Sequence, residues 1–182
     1  MNLKELTWDH HQNAERQDFV KELFGGISEE RYAVFLYNLH KTYDILEMLA
    51  MSQGLFGTVG HQFRRAPKIW ADFQELWKKD EQPEYLPVVE EYGKYLMSIQ
   101  MDKEKLMAHV YVRHMGDLSG GQMIAKKAPG SCTMFDFTND AGLTNDQLKD
   151  LIREQCDDSM AEEAKLAFDY ATRMFQEMSK TK

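Results

Sequence analysis

Tyr32, Phe35, Leu36, Leu39, Tyr43, Leu46 and Ala50 recur at spacings of mostly three and four, the period of a helix that buries one face. Ser28 stands ahead of them as an N-cap, with Glu29 and Glu30 in the first turn where the helix dipole favours acid. This run is the clearest helix in the chain, and the rest of the sequence offers little that could oppose it. Only four prolines and eleven glycines punctuate 182 residues, and the segments between them read as long helical stretches rather than short strands with regular turns. An all-α fold is expected. Hydrophobic residues make up 43% and aromatics 12%, enough for one sizeable core without disulfide staples, so a single domain spanning residues 1–182 is expected.

Further helices follow from cap and breaker signals. Asn2 and Glu5 have capping-box spacing and open a first helix that runs to the Gly25-Gly26 pair. The stretch from Gln53 to Ala66 is glycine-rich and irregular, after which Pro67 suits the first turn of a helix carrying Ile69, Trp70, Phe73, Leu76 and Trp77. Pro87 begins another helix to about Gln100, and a long one is predicted from Lys103 to about Lys127. Thr144 caps a helix through Cys156, and a last helix from about Ser159 to Ser179 puts Ala164, Ala167, Phe168, Ala171, Phe175 and Met178 on one face.

Charge and cysteine content exclude several classes. A formal net charge of −8 argues against a phosphate-binding surface and so against nucleic acid as a partner. Cys132 and Cys156 are too few for a disulfide framework and imply a reducing compartment, although their pairing stays open. The amino terminus is polar and charged, unlike a secretory signal, and no apolar run approaches the roughly 18 to 20 residues that span a bilayer. The expectation is a soluble protein without a membrane partner, cytoplasmic, or stromal in a plastid-bearing host.

Three groups of residues could carry chemistry. His11 shares a helical face with Lys4, Thr7, Trp8 and Glu15, while His10 points about 100° away. A ligand histidine needs its second nitrogen fixed, and a glutamate one turn on can do that, but so can a plain surface pair. The second group is Gly116-Asp117-Leu118-Ser119-Gly120-Gly121-Gln122, inside an otherwise good helix. Each glycine costs roughly 1 kcal/mol there against alanine. Either the bare backbone lies against a flat ligand, with Asp117 ordering water above it, or Gly116 and Gly120 allow close helix packing. The third is Lys149 and Arg153, one turn apart, able to clamp an anion's carboxylates or simply to pair with Asp146 and Asp150 on a solvated face. Di-iron carboxylate bundles, the other oxygen-handling helical class, require Glu-x-x-His motifs that are absent here, as are P-loops, zinc motifs and nucleophile elbows.

Together these segments resemble the haem oxygenase family. His11-Gln12-Asn13-Ala14-Glu15 followed by Phe19 is similar to its proximal His-x-x-Ala-Glu segment, and Gly116 to Gln122 with the run-in His109-Val110-Tyr111-Val112-Arg113 is similar to its distal helix. Tyr43 to Glu47 fits a Tyr-x-x-Leu-Glu pattern and Lys149 to Arg153 a Lys-x-x-x-Arg element, so the resemblance runs from about Lys4 to Met178. It implies a helical fold holding haem b between a proximal and a kinked distal helix, with haem as both substrate and cofactor and dioxygen as co-substrate. It further implies that His11 ligates the iron and that Lys4, Tyr111, Ser119, Lys149 and Arg153 hold the haem, mostly through its propionates. Asp117, Tyr43 and Arg113 would organise distal water, and Gly116 and Gly120 would steer attack to one meso edge. Lys4, two turns from His11, lies roughly 10 Å along the axis, a sensible reach from iron to propionate.

The implied reaction opens haem to biliverdin, the IXα isomer, releasing carbon monoxide and ferrous iron. The chain ends at Lys182 without the apolar tail of membrane-anchored relatives, which resembles soluble forms that take electrons from ferredoxin and hand their product to a bilin reductase. Lys126 and Lys127 are candidate docking residues for an acidic ferredoxin, or a solvated helix end. Trp8 and Ala171 depart from the family, standing where a second propionate-side lysine and a distal asparagine are common. Two other readings stay open: a haem storage or delivery protein, which would not need Asp117, and a helical interaction module, which leaves the glycines unexplained.

Overall fold

The computed structural model describes residues 2–181; Lys182, named above for the missing apolar tail, lies outside them. Among the described residues the regular elements are all helical: α1 (Leu3–Leu6), α2 (Trp8–Glu15), α3 (Asp18–Phe24), α4 (Glu29–Ser52), α5 (Ala66–Leu76), α6 (Pro87–Ser98), α7 (Lys103–Leu118), α8 (Gly121–Ile124), α9 (Asn145–Glu154) and α10 (Ala161–Lys180). Short 3-10 turns occupy Gly57–Phe63, Thr133–Phe135 and Asp158–Met160.

The helix starts are chemically explicit. Ser28 Oγ accepts the Arg31 backbone N–H at 3.2 Å ahead of α4, and Asp102 accepts that of Lys105 at 3.0 Å ahead of α7. Asn2 with Glu5, and Thr144 with Gln147, form complete capping boxes. Prolines open α5 and α6, where their missing N–H costs no helical bond.

Two predicted helices are interrupted. The expected helix from Asn2 to Gly25 is three pieces, because Thr7 (φ −108°, ψ 6°) and Gln17 (φ −65°, ψ 145°) leave helical geometry. Thr7 Oγ1 donates to the Leu3 carbonyl at 2.8 Å, a local bond that competes with the regular ladder. The expected helix from Lys103 to Lys127 ends at Leu118, and Ser119 (φ −113°, ψ −96°) turns the chain into short α8. The other boundaries fall within about two residues of expectation.

α4 is the central helix, flanked by α5, α6 and α7, while α10 packs on α2, α3, α6 and α7. One apolar cluster runs through these contacts, from Leu3 to Met178. α2 and α7 both pack on α10 and make few contacts with each other. Cys132 and Cys156 are both free thiols. No helix among the described residues is long and apolar enough to cross a membrane.

Candidate functional site

The break after α7 separates the two explanations for its glycines. A Cβ built on Gly116 or Gly120 meets nothing within 4 Å, so neither residue is small for the sake of a neighbouring helix. Gly121 differs: its Cβ would stand 2.6 Å from Phe135 Cε1, and here the missing side chain does permit close packing. Gln122 fastens the turn, its amide donating to the carbonyls of Asp117 at 3.0 Å and Phe135 at 2.9 Å. Bare backbone therefore faces open space at Gly116 and Gly120.

Beside it, Asp117 is buried, and the Tyr43 hydroxyl donates to its Oδ2 at 2.7 Å. Burial raises the Asp117 carboxyl to about 6, against the opposing pull of His114, Tyr43 and Arg65. Burial likewise pushes the Tyr43 phenol well above its ordinary value. The third expected member, Arg113, departs from the reading above. Its guanidinium lies over the Tyr92 ring at 5.1 Å, its Nε is buried without a partner, and only its backbone carbonyl approaches Tyr43 Oη, at 3.4 Å.

On α2, His11 Nε2 pairs with Glu15 Oε1 at 2.7 Å, the one-turn contact on which both readings of this residue rested. The imidazole stacks on Phe168 of α10, centroids 5.3 Å apart and planes 11° from parallel, with the Trp8 ring edge-on at 5.3 Å. Lys4 Nζ sits 6.0 Å from the Trp8 ring, so Lys4, Trp8 and His11 share one face despite the break at Thr7. His10 points elsewhere and binds Asp169 at 2.9 Å.

Tyr111 is half-buried, and burial raises its phenol, with Cys156 adding to the rise and the charge of Arg153 opposing it. Lys149 pairs with Asp146 at 3.8 Å and Arg153 with Asp150 at 3.1 Å, with i,i+3 rather than i,i+4 spacing. Ser119 is exposed at the break. The 3-10 turn Asp158–Met160 touches both α1 and α7, and α9 packs on α7, so α7 links the elements bearing Lys4, Tyr111 and Arg153.

Two buried polar groups went unassigned in the sequence. Glu47, wholly buried, accepts the backbone N–H groups of Arg65 at 2.6 Å and Ala66 at 2.9 Å, and pairs with His114 Nε2 at 2.8 Å. Arg65, also wholly buried, donates to four carbonyls, those of Gln62, Phe63, Met134 and Asp136. On the other side of α7, His109 bridges Tyr92 Oη at 2.5 Å and Glu163 Oε1 at 2.9 Å, and burial lowers its basicity. The available signal for the first group was the i,i+4 pair Tyr43 and Glu47 on α4.

Uncovered backbone at Gly116 and Gly120 and an imidazole oriented by Glu15 and Phe168 are the kinds of group that a flat, metal-bearing macrocycle would use. The family model described as "Heme oxygenase" matches residues 1–177. The chain belongs to the haem oxygenase family. Heme oxygenase of Pyropia yezoensis is 27% identical over 97% of this chain and 84% of its own length. Heme oxygenase 2 of Macaca fascicularis is 30% identical over 97% of this chain and 64% of its own. Among solved structures, heme oxygenase-1 of the cyanobacterium Synechocystis, determined in complex with heme, covers 98% of this chain and 90% of its own with a TM-score of 0.81 at 23% identity. The Leptospira interrogans enzyme covers 96% and 97% with a TM-score of 0.78 at 26% identity. As a haem oxygenase, the chain is an enzyme that degrades haem.

Proposed function

We propose that this haem oxygenase opens haem b at the α-meso carbon to biliverdin IXα, releasing carbon monoxide and ferrous iron, with ferredoxin as electron donor and a bilin reductase as consumer of the product. Bound haem supplies the redox-active iron, where dioxygen reacts as co-substrate, and the macrocycle that is consumed. The observation that carries this reading is the buried Tyr43–Asp117 couple set directly beside two glycines with nothing over them.

Each residue then has a physical task. Glu15 holds His11 Nε2 and Phe168 fixes the ring plane, which leaves the other ring nitrogen as the one that would hold the haem iron. Lys4, Tyr111, Ser119, Lys149 and Arg153 orient the substrate, the cations through its propionates; Arg153 offers bidentate geometry and Lys149 a point charge. Gly116 and Gly120 leave backbone uncovered, against which the haem ring would rest, and that close approach would limit which meso edge is presented. Asp117, with a carboxyl near 6, can both hold and pass a proton around neutral pH, and the Tyr43 hydroxyl fixes its orientation. Arg113, one turn before Asp117 on α7, has a buried Nε–H without a partner, and to order water beside Asp117 its guanidinium would have to leave the Tyr92 ring. We place the enzyme in the cytoplasm, or in the stroma of a plastid, with Lys126 and Lys127 meeting an acidic ferredoxin.

The test is optical. Haemin is bound to the purified protein, a ferredoxin reducing system is supplied in air, and the Soret band is followed. Its loss with the rise of a biliverdin spectrum is the expected result. A complex that survives reduction intact would overturn the reading in favour of haem storage or delivery.

A further inference from the structure

Trp8 departs from the family pattern and has no part in the scheme above, yet no tryptophan, phenylalanine or tyrosine among the described residues is more exposed, at 41%. Exposure alone decides nothing, since single apolar side chains are common at surfaces; position does. The residues that follow it on α2 are Asp9, His10, His11 and Gln12, a polar run in which the indole is the one large apolar group. The other two tryptophans are used differently. Trp70 packs on Tyr37, His40 and Phe73, and Trp77 on Phe73, all within the aromatic seam of α4 and α5.

The break at Thr7 sets where the indole stands. The buried Thr7 hydroxyl donates to the Leu3 carbonyl at 2.8 Å, α1 ends, and α2 restarts with Trp8 as its first residue. From there the indole lies edge-on to His11, centroids 5.3 Å apart and planes at 75°, while Phe168 stacks on the same imidazole at 5.3 Å. Two apolar rings therefore flank the imidazole, one packed against the core from α10 and one open to solvent. Lys4 Nζ, 6.0 Å from the indole centroid, stands at the limit of cation–π range. A metalloporphyrin lies perpendicular to its axial bond. Held through the free nitrogen of His11, it would spread past the imidazole plane on both sides, and its proximal face would meet the rings that flank that imidazole.

We propose that Trp8 is a substrate-contact residue of this enzyme, its indole packing on the proximal face of the bound macrocycle and being covered by it. The proposal rests on the assignment of His11 made above. Where family members often carry a second propionate-side lysine, this chain exchanges a charge contact for an apolar one and keeps Lys4 beside the indole. The bare 41% of Trp8 is on the order of 100 Å², and covering that area strengthens binding by roughly ten- to a hundredfold. Apolar burial is not screened by salt, whereas a contact made through Lys4 is.

The experiment titrates zinc protoporphyrin IX, a diamagnetic macrocycle that takes one axial ligand, into haem-free protein carrying ¹⁵N-labelled tryptophan. Three tryptophans give three indole N–H signals, and that of Trp8 is the one lost in Trp8→Phe. The porphyrin ring current should shift the Trp8 signal well beyond those of Trp70 and Trp77. In Soret titrations with haemin, Trp8→Ala should raise Kd by about tenfold or more, in the same ratio at low and high salt. A Trp8 signal that moves no more than the other two at saturation overturns the proposal. So does a Kd ratio that falls toward one as salt rises, which would leave Trp8 acting only through Lys4. If Trp8→Ala does not fold, the wild-type indole spectrum alone decides whether the contact exists. His11→Ala separates this inference from the reading beneath it: an unmoved Trp8 signal in a protein whose porphyrin binding depends on His11 overturns the contact alone, and binding indifferent to His11 overturns both.

Discussion

Gly116→Ala separates the cost of a bare helix from its use. Alanine at 116 meets nothing within 4 Å and replaces the poorest ordinary helix former in α7 with the best, so the haem-free protein should gain about 0.5–1 kcal/mol. For a chain of this length that is about 1–4 °C in Tm. The same methyl group occupies the face against which a flat ring would lie, and a weakening of haem binding by about tenfold, or roughly 1.4 kcal/mol, is expected. Thermal melts of the haem-free protein and a Soret titration with haemin read the two effects independently. Gly121→Ala is the control with the opposite sign. Its Cβ would stand 2.6 Å from Phe135, a buried ring, and overpacking of this kind costs about 1–3 kcal/mol. A Gly116→Ala protein that melts lower while binding haemin as tightly as wild type would refute the reasoning and return the glycines to a packing role.

Asp117→Asn should stabilise the haem-free protein in a pH-dependent way. Because burial raises the folded carboxyl from 3.8 to about 6, its contribution to stability is present below about pH 4 and lost as pH rises through 6. The variant should gain on the order of 2–3 kcal/mol near neutral pH and nothing near pH 4, while losing turnover; an unchanged slope of stability against pH would contradict this. Glu47→Ala removes the acceptor for two backbone N–H groups and strands His114, so urea unfolding should show a loss of about 3–5 kcal/mol. Charge reversal at Lys126 and Lys127 together should raise KM for ferredoxin several-fold and steepen with falling salt, leaving haemin affinity alone; equal KM values would remove these residues from the docking surface.

The parts of the fold governed by period and capping were legible in the sequence. α4, α9 and α10 start where Ser28, Thr144 and the turn at Ser159 indicate. The interruptions at Thr7 and Ser119 were not, because a threonine or serine inside a helical pattern does not declare whether its side chain or neighbours will break the ladder. The site divides in the same way. His11 and Glu15 sit one turn apart on a single helix, so their contact follows from spacing. The spacing of Gly116 and Gly120 could not distinguish a packed face from an open one, since the answer depends on what stands opposite. Glu47 and His114 are 67 residues apart, and only the register of α4 against α7 brings them together. Arg113 illustrates the converse: placing it on the right helix face left open that Tyr92 would draw its guanidinium away from Asp117.

α2 and α7, which carry His11 and Asp117, both rest on α10 and are hardly fastened to one another. A ligand that bridges them adds cross-links the empty fold lacks, and its binding free energy becomes part of the stability of the protein, growing with concentration as RT ln(1 + [L]/Kd). For this enzyme the bridging ligand is also what the reaction destroys. Each turnover therefore dismantles a strut of the catalyst that performed it, and the melting temperature should follow the catalytic cycle, highest with substrate loaded and lowest once product has left.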